Sequence, residues 1–192
     1  MLQYLVFVGA VVQLIGIYPY VKETVRGDTK PNRVTWLMWS VAPLIGTAAA
    51  LVKGVGWAVL PVFMSGFAPL IVFAASFVNP KSYWKLERFD YLCGLCSLLA
   101  LMLWGITNVP EIAIVFAILS DGCAAVPTLI KSWRYPETET ITAFSTGIFN
   151  SLTSFVAVRT WTFSAYAFPA YLVLINISIV VALKHRNFSF SL

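Results

Sequence analysis

VFAILSDGCAAVPTL, residues Val115–Leu129, sets an aspartate six residues ahead of a proline in an otherwise apolar stretch. The arrangement occurs once before: in VVQLIGIYPYV, Val11–Val21, Gln13 stands six residues ahead of Pro19. Behind each proline comes a polar loop with a second proline, Pro31 or Pro136, and a new apolar segment then begins near Val34-Thr35 and near Ile141-Thr142. Pro61 and Pro169 carry the match into a third segment. The pairs Gln13/Asp121, Pro19/Pro127 and Pro61/Pro169 share one offset of 108 residues.

The aligned segments have the character of membrane helices. Of 192 residues 59% are hydrophobic and only 11% are charged, where a soluble domain carries about 25%. A bilayer crossing takes about 20 apolar residues. Seven spans are predicted: Leu2–Val21, Val34–Val52, Val55–Val78, Phe89–Ile106, Val109–Ile130, Ile141–Val158 and Trp161–Leu183. Tight turns are expected at Lys53-Gly54 and Arg159-Thr160. Met1–Val12 lacks the positive flank of a signal peptide and no small-residue cleavage site follows, so it is read as the start of a retained helix.

Three spans, one linking span and three more give the expected organisation. Residues 1–80 form a first repeat, 81–107 a linker with the fourth helix, 108–185 a second repeat and 186–192 a tail. An odd linker leaves both triplets in the same orientation, as a parallel repeat about an axis along the membrane normal. The predicted fold class is all-α integral membrane, with seven transmembrane helices in a 3+1+3 order.

The basic residues orient it. Lys22, Arg26, Lys30, Arg33, Lys81, Lys85, Arg88, Lys131, Arg134, Lys184 and Arg186 fall on one side, and only Lys53 and Arg159 on the other. Eleven against two puts the first side in the cytoplasm, with the N-terminus outside. The net charge of +5 then reflects basic loops beside anionic headgroups, and no nucleic-acid partner is expected. Short loops and the lack of targeting signals point to a prokaryotic inner membrane.

A 3+1+3 order, an outside N-terminus and a proline near the cytoplasmic end of the first helix of each triplet resemble the SWEET and PQ-loop superfamily. Vitamin transporters of the PnuC type and short seven-helix membrane proteins of bacteria share this organisation. The chain has Pro19-Tyr20 and Pro127-Thr128 where the superfamily has its Pro-Gln dipeptide. The resemblance implies alternating access by two triplets around a central pocket. Members also include receptors, and single three-helix units pair as dimers, so the fused chain is expected to act as a monomer or a homo-oligomer.

Asp121 lies near the middle of its span. A charge there costs roughly 3 kcal/mol, so the side chain is expected to face the bundle interior. One reading is a site for a proton, a cation or a hydrogen-bonding substrate. The other is interhelical glue, with Asp121 bonded to Gln13 across the pseudo-twofold. Asp90 and Glu111 sit at span ends, within reach of water.

Trp36 and Trp39 are three residues apart on one helical face. They serve either an interfacial aromatic belt or the wall of a pocket for a sugar or planar ring. Asn150 and Asn176 are buried amides that need partners, either on neighbouring helices or on a substrate. The superfamily resemblance places an asparagine of each third helix in the pocket. Asn176 fits that position, Ala68 occupies the matching one, and Ser65 lies one turn away. Pro19, Pro127, Pro61 and Pro169 are candidate hinges of a gate, or ordinary membrane-helix prolines.

No nucleotide loop, nucleophile elbow or metalloprotease helix is present. The one histidine, His185, stands just past the last predicted span. Cys93, Cys96 and Cys123 read as small packing residues or thiols, without a metal-ligand set. The function expected is a small-molecule transporter for a neutral sugar-like or ring-bearing metabolite, proton-coupled if Asp121 titrates. A receptor or scaffold of the same fold is the alternative. No catalytic residue, metal or cofactor is expected.

Overall fold

The computed structural model describes residues 5–52, 60–107, 109–157 and 161–189. Within them the chain forms seven helices: α1 Leu5–Arg26, α2 Arg33–Val52, α3 Leu60–Ala75, α4 Arg88–Ile106, α5 Pro110–Arg134, α6 Ile141–Ala157 and α7 Phe163–Ser189. Short 3-10 turns at Pro80–Ser82 and Pro136–Thr138 precede α4 and α6. The expected turns at Lys53-Gly54 and Arg159-Thr160, the starts of the first and third spans at residues 2–4 and 55–59, and the last residues of the tail lie outside the described residues.

Three helices overrun their predicted spans. α1 continues past Val21 to Arg26, α5 past Ile130 to Arg134, and α7 past Leu183 to Ser189, so residues 186–189 of the expected tail are helical. Hydropathy marks where the bilayer ends, whereas a helix continues until a cap stops it. For α1 the stop is Gly27, at φ 94°, whose N–H reaches the Glu23 carbonyl at 3.0 Å. Glycine takes this left-handed conformation at no steric cost. α2 is started by Asn32, whose side-chain oxygen accepts from the N–H groups of Val34 at 3.1 Å and Thr35 at 3.3 Å.

The Asn32 amide nitrogen also donates to Asp90 Oδ1 at 2.8 Å, and Asp90 Oδ2 accepts from Glu87 N at 2.6 Å. Asp90 is therefore buried, not hydrated as its place at a span end suggested. A helix end can be covered by a neighbouring loop, which hydropathy does not register. Glu111 is exposed, as expected.

The bundle has an inverted surface. Ile15, Met102 and Leu174 are more than half exposed, while Thr24, Asn32, Thr35 and Thr128 are fully buried; water-soluble domains bury the first kind and expose the second. Four helical stretches, Leu5–Arg26, Arg88–Ile106, Ile114–Arg134 and Tyr166–His185, are long and apolar enough to cross a membrane. A 22-residue helix such as α1 is about 33 Å long, enough for a hydrocarbon layer of about 30 Å. These are the features of a membrane-embedded helical protein.

α3 packs against both α1 and α2, and α7 against both α5 and α6. The circuit closes where α1 meets α6 and α2 meets α5, and α4 lies against α5 and α2. α1 and α6 approach closely because α1 offers glycines: a Cβ on Gly9 would stand 2.8 Å from Asn150 Oδ1, and one on Gly16 would overlap the Thr146 side chain. Replacing Gly16 by leucine is expected to cost about 1–3 kcal/mol through overpacking, read as a lower melting temperature in detergent. Gly105, with open space around its Cα, should accept alanine without loss.

Candidate functional site

Six helices converge on one internal cavity. Gln13 of α1, Trp36 and Trp39 of α2, Ser65 of α3, Asp121 of α5, Asn150 of α6 and Asn176 of α7 all line it. These are the seven side chains singled out as candidate binding residues from the sequence. The cavity holds about 90 Å³, enough to admit water.

The Asp121 carboxylate takes its hydrogen bond from α7: Oδ2 accepts from the Tyr171 hydroxyl at 2.7 Å. The bond to Gln13 of α1, one of the two readings of Asp121, is not formed. Contact across the bundle comes instead from Trp39, whose Nε1 donates to the Asp121 main-chain oxygen at 3.3 Å. Gln13 Oε1 and Asn150 Oδ1 are buried and have no hydrogen-bond partner among the described residues. Buried amides without a donor cost about 1–3 kcal/mol, so the cavity margin holds unspent polar capacity.

Several hydrogens around the cavity are already committed. Ser65 Oγ donates to Val62 O, Ser151 Oγ to Gly147 O and Asn176 Nδ2 to Leu172 O, each at 2.8 Å. Asn176 fits because Gly147 faces it: a Cβ there would lie 2.8 Å from Asn176 Oδ1. Among the described residues the lining carries one carboxylate and three amides, with neither lysine nor arginine. Such a surface suits neutral or cationic groups and repels anions.

The two indoles are not an interfacial belt. Trp36 is 3% exposed, and Trp39 is half-buried beside it. Their rings meet edge to face, with centroids 5.4 Å apart at 82°. Trp36 also packs on Tyr20 at 4.9 Å and on Phe144 at 6.2 Å. Tyr20, Trp36 and Phe144 thus form an aromatic layer at the end of the cavity where α1 and α5 finish and α2 and α6 begin.

The candidate hinge prolines have less to show. α1 and α5 stay helical through Pro19 and Pro127, and α7 through Pro169. Pro61 is in the first turn of α3 as described. Pro43 and Pro69 are the prolines that line the cavity. Cys93, Cys96 and Cys123 are free thiols on α4 and α5, away from the lining.

Tyr171 is the residue that sequence reasoning missed. Its signal was present: a hydroxyl deep in an apolar span needs a partner as much as a mid-span carboxylate does. No protein-family model, no curated protein and no solved structure matches the chain.

Tyr171→Phe takes the donor from a buried carboxylate and should lower stability by about 1–3 kcal/mol. Combined with Asp121→Leu it should cost less than the sum of the two single changes. Thermal unfolding of the four proteins measures the coupling, and additive losses would show that the bond contributes nothing.

Proposed function

We propose that the protein is a seven-span membrane transporter of the 3+1+3 kind, which moves a small molecule through the central cavity by alternating access. The observation that carries this reading is the convergence of polar and aromatic side chains from six helices on one internal void around Asp121. A chain whose only task is to pack would fill that space with apolar side chains, because each buried polar group costs energy unless it is paired.

The helix packing supports the repeat. In each triplet the third helix packs against the other two, and the first helix of either triplet meets the second helix of the other. Exchange of the triplets leaves this pattern unchanged. Trp36 and Phe144, 108 positions apart, meet across the bundle at 6.2 Å, as equivalent residues near a twofold axis should. The excess of basic residues in the loops supports a cytoplasmic side for the end with the aromatic layer.

The substrate class follows from the walls. Trp36, Trp39, Phe144 and Phe168 give ring surface, while Asp121, Asn150 and Asn176 give hydrogen-bonding edges. A neutral sugar-like or ring-bearing metabolite meets both kinds of wall. The present volume of about 90 Å³ is below the roughly 300–1,000 Å³ of ligand pockets. A substrate of this class therefore requires the cavity to widen as the triplets rock.

A thermal-shift screen of the purified protein against sugars, nucleosides, vitamins and amino acids, at pH 5 and pH 8, tests the reading. The expected hit stabilises the wild type by about 2.7 kcal/mol at a concentration of 100 times Kd, and stabilises Asp121→Asn far less. No hit, together with a destabilised Asp121→Asn, would mark Asp121 as a packing residue and remove the case for transport. For an identified substrate, Asp121→Asn should abolish the pH dependence of uptake; an unchanged pH profile would rule out proton coupling through this residue.

A further inference from the structure

Three buried or half-buried charges lie just beyond the aromatic layer, and the central cavity does not use them. Lys131 Nζ pairs with Glu139 Oε1 at 2.5 Å, with their side chains 1% and 0% exposed. Both partners belong to the second triplet, yet each is also held by the first. Lys131 Nζ donates to the Lys30 carbonyl, and the Tyr20 hydroxyl donates to Glu139 Oε2. Glu23 of α1 reaches the other way: its Oε2 accepts from Thr140 Oγ1 at the start of α6, and from Thr29 Oγ1 at 3.1 Å. The hydroxyls of Thr29 and Thr140 are 2.9 Å apart, and Lys30 N donates to Thr138 O at 3.0 Å.

We propose that Glu23, Lys131 and Glu139 form the latch of a gate that ties the two triplets together and closes the cavity at its basic end. The proposal rests on the transporter reading and adds to it which contacts must break. Glu23 and Lys131 are 108 positions apart and each stands four residues after a proline, Pro19 or Pro127. They are the same site in the two triplets with opposite charge, and each grips the loop before the second helix of the other triplet. Proline leaves one carbonyl of the preceding turn without its helical N–H, so each latch residue is mounted on a helix end that bends at low cost. Tyr20 joins the parts, since it packs on Trp36 and bonds Glu139. Release of Glu139 therefore frees a ring of the aromatic layer.

A latch of charges suits a gate better than an apolar seal does. A buried ion pair gives little net stability, because desolvation offsets much of its attraction. These charges lie at the loop end of the bundle, where opening returns them to water. The energy lost in breaking the pair is largely recovered as hydration, so closed and open states stay close in free energy. A plain fastening between helix and loop would contain the same bonds, but breaking it would loosen the fold without changing which side reaches the cavity.

Accessibility separates the two and needs no substrate. In a background with Cys93, Cys96 and Cys123 changed to alanine, Ser151→Cys places a thiol on the cavity wall. Vesicles that expose the basic end, verified by labelling of a separate Arg134→Cys protein, are treated with a membrane-impermeant maleimide, and the opposite vesicle orientation is treated in parallel. With the latch intact, labelling of Ser151→Cys from the basic end should be slow. Glu139→Gln, or the milder Glu23→Gln if the first does not fold, should speed it at least tenfold while the melting temperature shows a folded protein. Adding Thr29→Cys and Thr140→Cys, which the hydroxyl separation puts within disulfide reach, should slow labelling again until a reductant is added.

Folded latch variants that label no faster than the parent would overturn the gate. Labelling from the opposite end alone, in every variant, would reject the gate and leave a pocket open to one side, as a receptor requires. Labelling from neither end in any variant would reject the transporter reading itself.

Discussion

Lipid offers no hydrogen bonds, so each polar side chain that enters the bundle must be matched by another part of the chain. This constraint organises the structure more than apolar packing does, because the outer face gains nothing from being apolar once lipid surrounds it. The ties are visible helix by helix. Ser120 on α5 donates to the Ser97 carbonyl on α4 at 2.8 Å, Thr35 on α2 to the Ala124 carbonyl on α5 at 2.7 Å, and Arg33 to the Ser76 carbonyl at 2.6 Å. Asn32 serves two helix starts at once, through its own cap and through Asp90. At the basic end these ties draw helices and loops together, and at the cavity the buried oxygens of Gln13 and Asn150 stand without a partner among the described residues.

The same constraint explains what could be read in advance. A polar residue inside an apolar span has to point inward, so Gln13, Asp121, Asn150 and Asn176 were bound to share an interior, and with Trp36, Trp39 and Ser65 they line one void. The helices also fall close to the predicted spans, since the bilayer sets a length that composition records. Partners were not legible. Inwardness does not say which neighbour a side chain meets; that depends on helix rotation and crossing, which put Tyr171 rather than Gln13 beside Asp121. Lys131 and Glu139 were opaque for another reason. In sequence a lysine near a span end counts as a loop charge, and only the folded chain shows it covered by the loop between α1 and α2.

Under the repeat reading, the differences between equivalent positions carry as much meaning as the likeness. The 108-residue offset pairs Gln13 with Asp121, Trp39 with Gly147, and Ala68 with Asn176. In each of these pairs the halves have moved apart in chemistry. Trp39 is large where Gly147 is bare, and the bare position is what admits Asn176. Each triplet thus supplies two aromatic rings, while the second supplies most of the hydrogen-bonding groups. A dimer of identical triplets cannot do this, because each polar group placed on one wall appears on the other and doubles its desolvation cost. A fused chain escapes that symmetry. It needs only one carboxylate in the bundle centre, and Asp121 is held there by a tyrosine of its own triplet. No strut of the kind an Asp121–Gln13 bond would make then crosses the cavity between the halves. At the basic end the divergence takes the form of charge: Glu23 and Lys131 occupy one equivalent position with opposite sign. Two lysines there would each need a counter-charge, whereas here Lys131 alone takes one, Glu139, and Glu23 is held by the hydroxyls of Thr29 and Thr140. Fusion therefore permits both an unsymmetrical cavity and a closed end held by opposite charges.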